Sequence, residues 1–286
     1  MIRLDAATVL LQWATGGLFF LWITTRRREL GIGYGWLLRS VYGVLAVGAF
    51  IAGRLVRPDL VRDICALATA GAAAVSLVVS IARRKAGVSG QRVERQRKAA
   101  RVVAMVGNAS DPAPREASVE SAESPPWLDL VAPVIGGFGL LAAALAAGGP
   151  HALAIARTLV GAAFLGSVTD AMLLGHWYLV QPGLGRAPIF ELIRWLTALW
   201  PIEVAVLIWP TGMLSVLSGS VDDGWNGTLG WFWVACAVAT VVLVWVTKLA
   251  LKEKEYSAVM AATGLLYLAI LTAFGTDLVA RAVLTS

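Results

Sequence analysis

Long apolar runs alternate with short polar connections along this chain, and eight of the runs, at 5–25, 36–53, 60–82, 128–147, 152–180, 192–217, 229–247 and 256–280, have spanning length. A hydrocarbon layer about 30 Å thick takes about 20 helical residues at 1.5 Å rise. The expected fold is all-α, a polytopic integral membrane bundle of about eight transmembrane helices. The first run carries its basic cluster Arg26, Arg27 and Arg28 after it and is too long for a signal-peptide core, so it is expected to stay as a span.

The polar connections differ in charge. Arg26–Arg28, then Arg83, Arg84 and Lys85 with Arg92, Arg95, Arg97, Lys98 and Arg101, then Arg186 and Arg194, then Lys248, Lys252 and Lys254 fill alternate connections. Cations concentrate on the cytoplasmic side of membrane proteins, which predicts an even number of spans and both termini on the extracytoplasmic side. The opposite connections have Arg54, Arg57 and Arg62 between the second and third runs, but also the acidic Asp222 and Asp223 and a nearly uncharged turn from Gly148 to His151.

Composition agrees. With 58% hydrophobic and 15% charged residues and a mean hydropathy of +0.73, the chain lies outside the range of soluble domains. Its partner is the lipid bilayer, and a bacterial inner (cell) membrane is the expected location. The net charge of +6 follows from topology, so nucleic acid is not an expected partner. Cys65 and Cys236 lie in apolar runs without CxxC or Cys/His spacing and read as small buried hydrophobes, so no metal site is expected.

The only long hydrophilic segment divides the chain into a three-helix part (1–82), a linker (83–126) and a five-helix part (127–286). The linker begins as a basic stretch, expected to lie as a helix at the lipid surface, and turns small, acidic and proline-containing after Gly107, as disordered segments do. The basic stretch from Arg83 to Arg101 is the place where a redox partner subunit would dock. A division into three and five argues against two equal inverted repeats.

Candidate chemistry sits in the fifth and sixth spans. Ionisable groups inside a membrane are costly and face a partner, a cavity or a ligand, and Asp170, His176 and Glu203 are three such groups. Residues seven apart share a helix line, so Thr169 stacks with His176 and Asp170 with Trp177. Glu203 lies between Pro201 and Pro210, which free backbone carbonyls. Counted from the intervening turn, Asp170 and Glu203 reach depths of about 16 and 13 Å, so the two carboxyls are expected to face each other, with His176 above them. Arg157 is expected to snorkel to the interface, and Thr276 and Asp277 to be solvated near the end of the last span.

A haem held by two histidines within this chain is not expected, because His151 and His176 are 25 residues apart on one helix, about 37 Å by rise, which leaves open one histidine with another type of ligand or with a partner subunit's histidine. No nucleophile elbow or phosphate loop is present. The reading that fits is a membrane subunit of a respiratory or electron-transfer assembly that binds a quinone or conducts protons. His176 and Tyr178 would hydrogen-bond a quinone carbonyl, Trp177 would flank the ring beside Thr169, and Asp170 and Glu203 would exchange protons. Eight spans with outward termini are loosely similar to the quinol-binding anchors of some molybdenum and iron–sulfur oxidoreductases, an analogy of architecture without a shared motif. The alternatives are a proton-coupled transporter and a non-catalytic assembly or structural subunit.

Overall fold

A computed structural model describes residues 5–84, 125–181, 184–209 and 212–285. All regular structure among them is helical: α1 (Ala6–Thr25), α2 (Ile32–Val56), α3 (Leu60–Ala82), α4 (Leu128–Ala146), α5 (His151–Val180), α6 (Ala187–Ile208), α7 (Met213–Leu217), α8 (Thr228–Ala250) and α9 (Tyr256–Thr285). Most of the linker, from 85 to 124, with its expected surface helix and disordered tract, lies outside the described residues.

Seven of these helices are long and apolar enough to cross a membrane. The exception among the long ones is α6, whose 22 residues include Glu191, Arg194 and Glu203. It also departs from the expected run at both ends. It begins at Ala187 rather than at 192, and it stops at Ile208 instead of continuing to 217, with the short α7 following. The stop has a local cause: Trp209 precedes Pro210 and adopts the extended backbone (φ −109°, ψ 149°) that a following proline imposes. Pro201 is accommodated inside the helix.

The centre of the bundle is α1 against α5. In their most apolar stretches 67% and 61% of residues are buried, against 33% to 44% in the other five apolar helices, which mark those five as the lipid-facing ring. α2, α3 and α4 pack on one flank of the central pair, and α6, α8 and α9 on the other. Val44, Ile51, Leu55, Val238, Val242 and Leu271 face outward, as membrane-exposed positions do.

Hydrocarbon around the bundle removes most of the hydrophobic force between helices, so close backbone contact carries the packing. Gly16 and Gly166 make that contact possible. A Cβ on Gly16 would run into the Ala162 carbonyl, and one on Gly166 into the Gly16 backbone. At the arginine-rich end, Arg186 donates to the carbonyls of Leu251 (3.0 Å), Glu253, Lys254 (2.9 Å) and Glu255 (3.1 Å), tying the α5–α6 connection to the α8–α9 connection. Arg26 and Arg27 reach Glu191 at 2.5 and 3.4 Å, which joins the end of α1 to α6.

At the other end, Asp5 caps α1 by accepting from the Thr8 N–H and takes the Arg62 guanidinium at 2.6 Å. Asp223 caps α8, accepting from the N–H groups of Trp225, Gly227, Leu229 and Gly230.

Candidate functional site

Asp170 and Glu203 are both fully buried, and each sits in its own cluster. Asp170 lies ten residues before the end of α5 and Glu203 sixteen residues after the start of α6. Measured from their shared connection these are depths of about 15 and 24 Å. The earlier start of α6 therefore places Glu203 about 9 Å deeper than Asp170, and the expected facing pair of carboxyls is replaced by two separate sites.

The Asp170 site is built from tyrosines. Tyr42 on α2 donates a hydrogen bond to Asp170 Oδ1. To get there its ring passes over α1 at Gly17, where a Cβ would overlap the ring. Asp170 Oδ2 has no hydrogen-bond partner, and the hydroxyl of Tyr34, one of its electrostatic neighbours, lies beside the Thr24 side chain. Tyr34 and Tyr42 are fully buried. The interactions of Asp170 include no cation.

The Glu203 site is built from ions. Arg281 grips Asp277 with two contacts of 2.6 Å, one turn apart on α9, and its Nη2 also donates to the Arg157 carbonyl at 3.2 Å. Arg157 in turn donates from Nε to the Val206 carbonyl at 2.8 Å, near the end of α6. Glu203 lies beside the Asp277 carboxyl, close enough for the two to share a hydrogen bond, and also interacts with Arg281 and Arg157. Gly161 of α5 clears the space, since a Cβ there would strike the Arg281 guanidinium.

Two expectations change here. Asp277 and Thr276 are fully buried rather than solvated, because α9 continues to Thr285 and keeps them inside the bundle. Arg157 is buried too, and satisfies α6 carbonyls instead of snorkelling.

The remaining candidates point in different directions. His176 is exposed on the outer surface of α5, where Nδ1 meets the Tyr267 hydroxyl at 3.2 Å. Trp177 packs half-buried against Tyr34, with ring centroids 6.0 Å apart. Tyr178 is buried and donates to the Gly185 carbonyl. Thr169 accepts from Trp13 Nε1 at 3.0 Å and donates to the Leu165 carbonyl at 2.7 Å. His176 thus stands with Tyr267 rather than with Thr169.

The sequence reading missed Tyr34, Tyr42 and Arg281. It also missed the buried Arg39–Asp129 pair, whose two hydrogen bonds of 2.8 and 2.7 Å join α2 to α4. Among the described residues no group of three His, Cys, Asp or Glu side chains is arranged to hold a metal ion. The chain matches no protein-family model, no curated protein and no solved structure.

Proposed function

We propose that this chain handles protons inside the membrane, with Asp170 and Glu203 as the exchanging groups, as a membrane subunit of an electron-transfer assembly that binds a quinone or conducts protons. The observation that carries this reading is the setting of Asp170: buried in a central helix, given one hydrogen bond by Tyr42, and interacting with no cation. A lone carboxylate there would carry a large desolvation penalty, whereas a carboxyl group that holds a proton can donate as well as accept. Ionisable groups in such positions mark ion and proton pathways.

In this reading His176 and Tyr267 receive the quinone head group laterally from the bilayer, on the lipid-facing side of α5 and α9, with Trp177 and Tyr178 on the adjoining turn. In this reading the electrons come from a partner subunit. The test is mild detergent purification followed by mass spectrometry of bound subunits and extracted quinones. Redox subunits or stoichiometric quinone are expected; a single quinone-free chain overturns the assembly half of the reading.

A second reading, a proton-coupled transporter, is favoured by one observation. Glu203 lies on a 22-residue helix that carries three charged residues, holds an internal proline and stops short at Ile208. Transport by the purified chain alone would select it.

A further inference from the structure

We propose that Glu203 and Asp277 share a single proton between α6 and α9, carried as the O–H of Glu203 and donated to an Asp277 carboxylate that stays ionised against Arg281. This rests on the reading of Glu203 as a proton-exchanging group and names the partner and the form in which that group holds its proton.

The donors near Glu203 are already spent. Arg281 places Nε and Nη2 on Asp277, at 2.6 Å each, and Nη2 also donates to the Arg157 carbonyl at 3.2 Å. Arg157 donates from Nε to the Val206 carbonyl at 2.8 Å and from Nη2 to the Trp209 carbonyl at 3.5 Å. The first of these replaces a helix bond that the chain cannot make, because the residue four past Val206 is Pro210, which has no N–H. Neither guanidinium donates a hydrogen bond to Glu203. The group within hydrogen-bonding reach of Glu203 is the Asp277 carboxyl.

An ionised carboxylate only accepts, so a hydrogen bond between two acids requires that one of them bring a proton. Like charges in such contact do not both ionise. The contacts also say which acid holds the proton. Both Asp277 oxygens lie 2.6 Å from the Arg281 guanidinium, the paired contact of a carboxylate with an arginine, and Arg281 is one turn away on the same helix. Glu203 arrives from α6 without a cation at hydrogen-bond distance. The charge therefore sits on Asp277 and the proton on Glu203.

The surroundings make a second charge costly. Glu203 and Asp277 are fully buried, and Arg157 and Arg281 are buried beside them, so water does not screen the pair. α5 closes one side, where a Cβ on Gly161 would stand 2.9 Å from Asp277 Oδ1 and strike Arg281. The other neighbours of α6 bring no further ion: α7 has no charged residue, and the only one in α8, Lys248, is in its last turn at the arginine-rich end. On release the Glu203 O–H breaks, the proton passes to water and the oxygen keeps the electron pair. Uptake reverses the step, and Asp277 remains ionised throughout.

The test is infrared spectroscopy of the purified full-length protein near neutral pH, with glutamate carrying heavy carbon in its side-chain carboxyl. A protonated-carboxyl C=O band that moves on this labelling belongs to a glutamic acid, while the aspartic acid band of Asp170 stays in place. Glu203→Gln is expected to abolish the moving band completely, and Glu253→Gln, at an exposed position, to leave it. Asp277→Asn is expected to remove or shift the same band, because it takes away the acceptor of the Glu203 proton and frees Arg281. Melting temperatures confirm folding, and Asp277→Glu, which keeps the charge but moves the acceptor, is read for the same shift if Asp277→Asn does not fold. A band that depends on Glu203 but is unmoved by substitution of Asp277 overturns the shared proton and leaves Glu203 as an exchanging group. A protonated band that depends on Asp277 and does not move with labelled glutamate overturns the assignment of the proton to Glu203. Absence of any protonated glutamic acid overturns the proposal together with the part of the reading that rests on Glu203.

Discussion

Asp170 and Glu203 are both fully buried carboxyl-bearing residues on neighbouring helices of one bundle, yet their surroundings are opposites. Around Asp170 stand tyrosines and no cation; around Glu203 stand two arginines and a second carboxylate. Cations beside buried acids offset part of the cost of their charge, and removing one member of such a group strands the rest. A carboxyl among hydroxyls has no such compensation, so its comfortable form is the one that carries a proton. The same residue class thus stands among ions from α5 and α9 in one place and among tyrosine hydroxyls in the other.

The sharpest way to break this comparison is to remove the central cation. Arg281→Met leaves Asp277 and Glu203 with Arg157 alone, and is expected to lower stability by about 3–5 kcal/mol. Thermal unfolding in detergent measures it. Asp170→Asn, by contrast, changes one neutral hydrogen bond and is expected to lower stability by only about 1 kcal/mol. Similar losses in the two variants would erase the distinction between the sites.

Next in size are the two glycines that clear space for each cluster. Gly17→Ala pushes a Cβ into the Tyr42 ring, and overpacking of this kind is expected to lower stability by about 1–3 kcal/mol. It should also displace Tyr42 from Asp170 and reproduce the loss of proton exchange expected for Asp170→Asn. Gly161→Ala presses instead on the far end of the Arg281 side chain, and is expected to leave exchange at Asp170 unchanged. Tyr42→Phe removes the hydroxyl without moving the ring, at about 1 kcal/mol, and should shift the infrared band of Asp170.

The smallest effect belongs to the membrane surface. At Asp223 burial pushes the carboxyl up, but donation from the N–H groups of Gly227, Trp225, Leu229 and Gly230 outweighs it and holds the group below the usual carboxylate range. At Asp5 the Thr8 and Arg62 hydrogen bonds outweigh burial in the same way. A group whose value is lower in the folded state contributes stability above its unfolded value, about 3.9, and loses that contribution as pH falls through the folded one. Melting temperature should therefore be flat near neutrality on this account and fall in acid. Asp223→Asn should be less stable than the parent at pH 7, with the difference shrinking towards acid.

The membrane class and most of the helices were legible in the sequence because apolar length and alternating charge are properties of single segments. Asp170 and Glu203 were legible as buried acids for the same reason. Their partners were not. Tyr42 and Tyr34 resemble ordinary span residues until the fold brings α2 across α1 at Gly17, a long-range contact that no local pattern announces. Arg281 was within reach, because Asp277 and Arg281 lie one helical turn apart in an apolar run, the spacing of an ion pair. The depth of Glu203 was misjudged because α6 begins at Ala187 rather than near Arg194, a difference of seven residues, about 11 Å.

The most direct test of the central claim is proton flux into liposomes carrying the protein as purified, together with any subunits that accompany it, driven by a potassium diffusion potential and followed by an internal pH dye. Asp170→Asn, shown by its melting temperature to be folded, is expected to cut the flux about a hundredfold. Equal flux from the parent and the folded Asp170→Asn variant would contradict the assignment of Asp170 as the proton-exchanging group.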